Sequence, residues 1–384
     1  MSCWVHIMNE SETRIVSCES GTLPDGSAMP EKHNSFIISP EDPILVTGAA
    51  GFIGSRVVEG LLDHGFRNLR CFARPSSKLA RIEGIIKRRP EGAKIEVLIG
   101  NLLSHKDCEA ASQGVRLIFH LAAGIGEKSF ADAFLNSVVA TRNLLDASLL
   151  CARLRRFVLV SSFTVYSNCQ KPRGTLLDES CPIEEHPELR GEAYCFAKVK
   201  QEQVVTEYGK NHGIPYVLVR PGSVYGAGTS EITGRVGIAT FGPFLHLGGS
   251  NTIPFTYVEN CAEAILLAGL IKGVDGEAFN VVDDDLPSSR QFLHLYKKNA
   301  KSFMSVYVPH LISYVLCYLW EKLSQWSAGR LPPVVNRRRW HADWKKTLYS
   351  NEKLKARLGW RPKVPTAEGM RRYFEACARN RRNA

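Results

Sequence analysis

The stretch from Ile44 to Gly54, ILVTGAAGFIG, constrains this chain more than any other. A short apolar run, Ile44-Leu45-Val46, meets glycines at 48, 51 and 54, and an amphipathic segment follows from Ser55 to His64. That order reads as strand, tight turn and helix. Each glycine has a steric reason: the chain must turn sharply, let a pyrophosphate approach its backbone, and pack helix on strand. The free N–H groups and positive dipole end of the new helix then face the phosphates.

The spacing T-G-x-x-G-x-x-G resembles the turn of the short-chain dehydrogenase/reductases rather than the commoner G-x-G-x-x-G. Further strands are predicted at Leu69–Ala73, Lys94–Ile99, Leu117–Leu121, Arg156–Ser161 and Tyr216–Arg220, with a long helical segment over Ala131–Cys151. Strands alternating with helices imply an α/β fold whose parallel sheet is covered on both faces. Phe255–Val258 reads as a short strand entering a helix over Glu259–Ile271, and Ala278–Val282 as another strand.

The second strand ends in Ala73-Arg74-Pro75-Ser76-Ser77. In NAD-binding folds an acid near this place holds the ribose 2′-hydroxyl, whereas an arginine accommodates a 2′-phosphate. Ala73 stands at the acidic place and Arg74 follows it, so NADP is favoured over NAD.

The fifth strand runs into Ser161-Ser162-Phe163-Thr164, at the sheet edge where active groups of such folds gather. Tyr194 and Lys198 open a later helix, and their i, i+4 spacing puts phenol and ammonium on one face. A tyrosine of ordinary pKa is a poor acid–base group at neutral pH, but a cation one turn away stabilises its phenolate. Tyr194 then exchanges a proton with a hydroxyl or carbonyl oxygen to which Ser162 donates a hydrogen bond.

Composition excludes little but orders the partners. The net charge of +11 comes from basic clusters spread along the chain, at 81–89, 153–156, 337–339 and 371–382. With no nucleic-acid module visible these read as a solvated face, and an anionic cofactor and small-molecule substrate come before nucleic acid. Eleven cysteines without a C-x-x-C pair favour a reducing cytoplasm and offer no metal site. Residues 1–40 are polar and broken by Gly and Pro, which predicts a poorly ordered extension without a secretory signal, with a strand that docks on the main body as the alternative. Phe303–Trp320 is the most apolar stretch, too short and interrupted to span a bilayer. It is expected to be a buried helix, or one that lines an apolar pocket or makes a peripheral membrane contact.

Taken together, Thr47–Gly54, Ser162, Tyr194/Lys198 and Arg220–Gly226 resemble the extended short-chain dehydrogenase/reductases, the NAD-dependent epimerase/dehydratase group. His120-Leu-Ala-Ala, Tyr257-Val-Glu-Asn260 and Leu358-Gly-Trp-Arg-Pro are further matches. The resemblance implies a Rossmann-type doubly wound parallel sheet over 41–222 that binds NAD(P). A smaller substrate lobe over 223–384 would follow, with 259–282 returning to the main sheet.

By position, Tyr194 would be the acid–base residue, Lys198 would hold the nicotinamide ribose and lower the tyrosine's pKa, and Ser162 would polarise the substrate oxygen. Cofactor contacts would come from Gly48, Gly51, Phe52, Ile53, Gly54, Arg74, Asn101, Leu102, Ala122, Lys198 and Pro221, with no metal. A homodimer through the helices at 131–151 and 191–211 is the family expectation.

Two substrate classes follow from the resemblance. One is a nucleotide sugar handled by an epimerase or dehydratase. Ser223 weakens that reading, because many sugar-nucleotide epimerases carry asparagine there. The other is a 3β-hydroxysteroid dehydrogenase-like or dihydroflavonol reductase-like enzyme, to which Gly276–Pro287 and Phe303–Trp320 look similar. From another class comes a non-catalytic NAD(P)-sensing scaffold, which would need none of Ser162, Tyr194 and Lys198.

Overall fold

The computed structural model describes residues 5–7 and 36–382, except 125, 127–128, 152, 230–231, 241, 328–329 and 332–334. Its strands in chain order begin with β1 (Val5–Ile7), β2 (Ile44–Thr47), β3 (Asn68–Ala73), β4 (Lys94–Ile99), β5 (Leu117–His120), β6 (Arg156–Val160) and β7 (Thr175–Leu177). They continue with β8 (Tyr216–Pro221), β9 (Ser223–Tyr225), β10 (Gly237–Ile238), β11 (Phe244–His246), β12 (Phe255–Tyr257), β13 (Ala278–Val281), β14 (Ser305–Tyr307) and β15 (Thr347–Tyr349). The helices are α1 (Phe52–Asp63), α2 (Ala80–Arg88), α3 (His105–Ser112), α4 (Phe130–Ala133), α5 (Ala140–Leu149) and α6 (Ala193–His212). Then come α7 (Val258–Leu270), α8 (Ser289–Asn299), α9 (His310–Trp326), α10 (Arg337–Asp343), α11 (Glu352–Leu358) and α12 (Thr366–Arg382).

The main sheet runs β1-β4-β3-β2-β5-β6-β8-β13, parallel throughout. Its central strands are apolar runs buried on both faces, β2, β5 and β6 completely so, as a sheet sandwiched between helices requires. On one face α1 and α7 pack together, with Gly60 lying so close to Leu266 that a Cβ there would collide with its side chain. On the other, α3, α5 and α6 cover Leu45, Ile118, Phe157 and Leu159. The long segment around 131–151 is helical but not uniform: a π-helical turn over Phe134–Val139 joins α4 to α5.

A smaller lobe follows β8. β9 and β12 pair in parallel at the end of the main sheet, and behind them Tyr225, Phe255, Phe292 and Tyr373 form an aromatic core with α8 and α12. Asp283, just after β13, accepts from Tyr257 N at 2.8 Å and from Asn260 Nδ2 at 3.0 Å. Asn260 in turn holds Val364 N at 2.9 Å and takes Trp360 Nε1 on its carbonyl at 3.1 Å. The Tyr257–Asn260 and Leu358–Pro362 motifs thus meet, clamping the chain end against the first turn of α7.

Two expectations need correction. The predicted extension over 1–40 lies mostly outside the described residues, but its described parts are docked. Val5–Ile7 pairs with Val97–Ile99, and Phe36 and Ile38 are buried, with Ile37 N donating to Leu270 O at 2.9 Å. Phe36 meets His64 and Phe66 edge-on or tilted, which anchors the chain before β2. The apolar stretch 303–320 is not one buried helix: β14 occupies its start, Pro309 caps α9, and most of its large apolar side chains are exposed.

Candidate active site

The turn between β2 and α1 is shaped by what glycine lacks. Gly48 adopts φ +70°, and a Cβ there would stand 3.0 Å from Ala122 N. A Cβ on Gly54 would collide with the Gly48 carbonyl oxygen, so the third glycine lets helix and turn close on one another. Gly51 caps α1 in extended conformation without a side-chain cap, which leaves the first-turn N–H groups of Phe52, Ile53 and Gly54 to a ligand. That cradle fits the diphosphate of a dinucleotide.

Polar contacts fix the neighbouring strand ends. Thr47 Oγ1 bonds His120 Nδ1 at 2.8 Å and takes Ala122 N at 3.3 Å, while His120 Nε2 meets Thr141 Oγ1 at 2.9 Å. Gln201 Nε2 reaches the same threonine at 2.8 Å, tying β2, β5, α5 and α6 into one chain of hydrogen bonds. Burial, helped by the Lys198 charge, depresses the His120 pKa to about 3, so the imidazole is neutral. Leu102 is buried, its carbonyl held by Asn143 Nδ2 at 3.0 Å. Asn101 lies exposed at the end of β4, its N–H on Asp107 at 2.7 Å. Pro221 closes β8 beside Val281. Arg74 is exposed past the end of β3, its N–H bonded to Ser77 Oγ at 3.1 Å, and its guanidinium has no ion pair among the described residues.

Ser162, Tyr194 and Lys198 come together. Ser162 Oγ takes Thr164 N at 3.2 Å, capping a turn of 3-10 helix after β6, and shares a hydrogen bond with the Tyr194 phenol. Lys198, one turn along α6, is buried with Nζ 5.9 Å from the Tyr194 ring centre, and it donates to Val160 O at 2.8 Å. Burial pushes the ammonium down to about 8 against a weaker opposing pull from Glu202. It also pushes the Tyr194 phenol up, and Ser162 is the group that draws it back. The expectation that Lys198 would bring the tyrosine below its ordinary value is therefore not met in this geometry, where desolvation outweighs it. Behind the pair, Glu202 grips Arg220 of β8 with bonds of 2.9 and 2.7 Å, and Arg220 also donates to Tyr166 at 2.8 Å.

Beside Ser162 and Tyr194 opens a cavity of about 250 Å³, also bordered by Gly222, Ser223 and Thr233. Its charged wall was not anticipated. Arg190 pairs with Glu192 at 2.6 Å and faces Asp343 at 3.7 Å, and Arg339 approaches the same two acids at 3.3 and 3.6 Å. Arg235 completes the wall but among the described residues bonds neutral groups, Ala342 O at 2.9 Å and Tyr349 Oη at 3.3 Å. Among the described residues three guanidiniums thus face two carboxylates, and the unbalanced charge belongs to Arg235. The run 337–339, expected to be solvated, is divided among partners: Arg337 clamps Glu321 and Arg338 pairs with Glu184. The i, i+4 pairing of Arg339 with Asp343 was the signal open to sequence reading.

The chain is similar to several known proteins. Over 358 residues the chain is 25% identical to a 3beta-hydroxysteroid-dehydrogenase/decarboxylase of Arabidopsis thaliana, covering 86% of this chain and 79% of that protein. It is 31% identical over 252 residues to a 3 beta-hydroxysteroid dehydrogenase/Delta 5-->4-isomerase of Mycobacterium tuberculosis, covering 61% of this chain and 62% of the other. A trifunctional UDP-glucose 4,6-dehydratase, epimerase and reductase of Arabidopsis thaliana is 28% identical, and the chain spans only 36% of its length. Among solved structures, the UDP-glucuronic acid 4-epimerase of Bacillus cereus in complex with NAD superposes with a TM-score of 0.64 at 21% identity, over 88% of this chain and 99% of that one. Residues 44–281 match the NAD dependent epimerase/dehydratase family, from β2 through the end of β13. The chain belongs to that family, as an enzyme with a nicotinamide cofactor.

Proposed function

We propose that the protein moves a hydride at a secondary alcohol or ketone of an anionic substrate, a nucleotide sugar being the class that fits best, with NADP favoured over NAD. The observation that carries the substrate reading is Arg235: a guanidinium without a carboxylate partner among the described residues, on the wall of the cavity beside Ser162 and Tyr194. A phosphate or carboxylate placed there would balance the wall.

The nicotinamide supplies or takes the hydride when bound. The residues govern the proton. Ser162 Oγ donates to the substrate oxygen and orients it. Tyr194, held protonated by its burial, gives its proton to a ketone oxygen as the carbon is reduced, and takes one from a hydroxyl in the reverse direction. Lys198, fixed by Val160 O, favours the phenolate that the transfer leaves behind. Arg74 would take the 2′-phosphate of NADP. Phe130 and Phe134, exposed beside Phe196 of α6, and the exposed Leu135 support a homodimer through these helices.

A second reading, a 3β-hydroxysteroid dehydrogenase-like reaction, is favoured by the likeness covering 86% of the chain. Turnover of a nucleotide-sugar panel and a hydroxysteroid panel, with and without added NADP, separates them. An epimerase regenerates its cofactor and needs none added, whereas a dehydrogenase consumes it. We expect Tyr194→Phe to lower kcat by about 100- to 10,000-fold with cofactor affinity nearly unchanged. Arg235→Ala should raise KM for the nucleotide sugar by about tenfold or more. Survival of activity in Tyr194→Phe would remove the acid–base assignment, and steroid turnover indifferent to Arg235→Ala would favour the second reading.

A further inference from the structure

A helix that covers a core turns its apolar residues inward. α9 does the reverse: its buried residues are Ser313, Cys317 and Ser324. Leu311, Ile312, Val315, Leu316, Leu319 and Leu323 recur with the helical period on the opposite side and are all exposed. Leu311 is 75% exposed, and Trp326 at the helix end is 85% exposed. Met304 and Val306, around β14, are exposed apolar side chains as well.

The orientation is pinned by polar contacts. Trp340 Nε1 donates to Ser313 Oγ at 2.9 Å, Ser324 Oγ donates to Leu331 O at 2.7 Å, and Arg337 holds Glu321 at 3.0 Å. Rolling the helix to bury its leucines would break all three.

We propose that α9 lies on an anionic membrane surface, its leucine face in the boundary between headgroups and acyl chains. Charge selects this occupant. Glu321 is the one carboxylate between Lys301 and Arg330, and Arg337 neutralises it. A cationic rim surrounds the stripe: Arg173 stands by His310, Arg290 lies 5.5 Å over the Tyr307 ring, and Lys322 lies 5.8 Å over the Tyr318 ring. Apolar face, basic edges and terminal tyrosine and tryptophan match the interfacial pattern. The geometry is that of a helix lying flat, since no described helix is long and apolar enough to cross a bilayer. A second copy on the same face would bring two such rims together, each on a chain of net charge +11. α9 rests on α10, whose Arg339 and Asp343 line the reactive cavity, so docking would set that cavity at the membrane surface.

The test is co-sedimentation of the full chain with phosphatidylcholine vesicles, with and without phosphatidylserine. We expect binding to the phosphatidylserine vesicles that weakens with salt. The double variant Leu316→Glu and Leu319→Glu should partition about tenfold less or worse while binding NADPH normally, because both side chains are exposed. Lys322→Glu, a milder change, should weaken binding to the anionic vesicles only. The proposal is overturned if neither vesicle binds, if the double variant binds as well as the wild type, or if it converts a solution dimer to monomer.

Discussion

Lys198 Nζ donates to the Val160 carbonyl at 2.8 Å and stands 5.9 Å from the centre of the Tyr194 ring, so the cation sits beneath the phenol while being anchored to the sheet. Burial holds its pKa at about 8, against 10.5 ordinarily, so the folded state resists the charge. Between pH 8 and 10.5 the unfolded chain binds more protons, and stability rises with pH; below pH 8 the buried cation costs about 3 kcal/mol. Lys198→Met should therefore gain stability relative to wild type on going from pH 10 to pH 7, measured by urea unfolding. A difference that does not change with pH would refute a depressed Lys198.

Gly54→Ala places a methyl group against the Gly48 carbonyl and opens the phosphate turn. NADPH affinity should fall by about tenfold or more, read by fluorescence titration. Gly84→Ala is the control: in α2 its Cβ meets only Arg88 Nη1 at 3.4 Å, so affinity should hold and helix propensity should add about 0.5–1 kcal/mol of stability.

Arg74 is exposed past the end of β3, where Ala73 stands in the place of the usual acid. Arg74→Glu should shift the ratio of kcat/KM for NADP over NAD toward NAD by about tenfold or more, since the 2′-phosphate would meet a carboxylate. An unchanged ratio would show that the phosphate is bound elsewhere.

Glu202 and Arg220 form a buried pair joining α6 to β8. Glu202→Ala strands the guanidinium and should destabilise the protein by about 3–5 kcal/mol in urea unfolding. A loss below about 1 kcal/mol would mean that the Tyr166 hydroxyl suffices to satisfy Arg220.

Seven of the eight strands of the main sheet, all but β1, were legible from sequence to within a residue or two because each is a short apolar run bounded by turns, and burial on both faces writes itself into residue type. The glycine turn was legible because its constraint is backbone sterics, a local matter. Tyr194 and Lys198 could be paired because a helix sets neighbours at i and i+4.

Other features depend on contacts far apart in the chain. Arg339 reads as one more surface arginine until the fold brings Glu192 to it, and Arg235 is singular because, among the described residues, no carboxylate arrives. The outward face of α9 follows from Trp340 and Leu331 holding its serines, which the helix's own pattern does not contain. Sequence alone determined the α/β class, the glycine turn and the pairing of Tyr194 with Lys198 on one helix, since these rest on local propensity and spacing. Tertiary structure alone decided which charges are spent on one another, how deeply Tyr194 and Lys198 are desolvated and which face of α9 meets solvent, because those depend on what long-range packing sets beside each group.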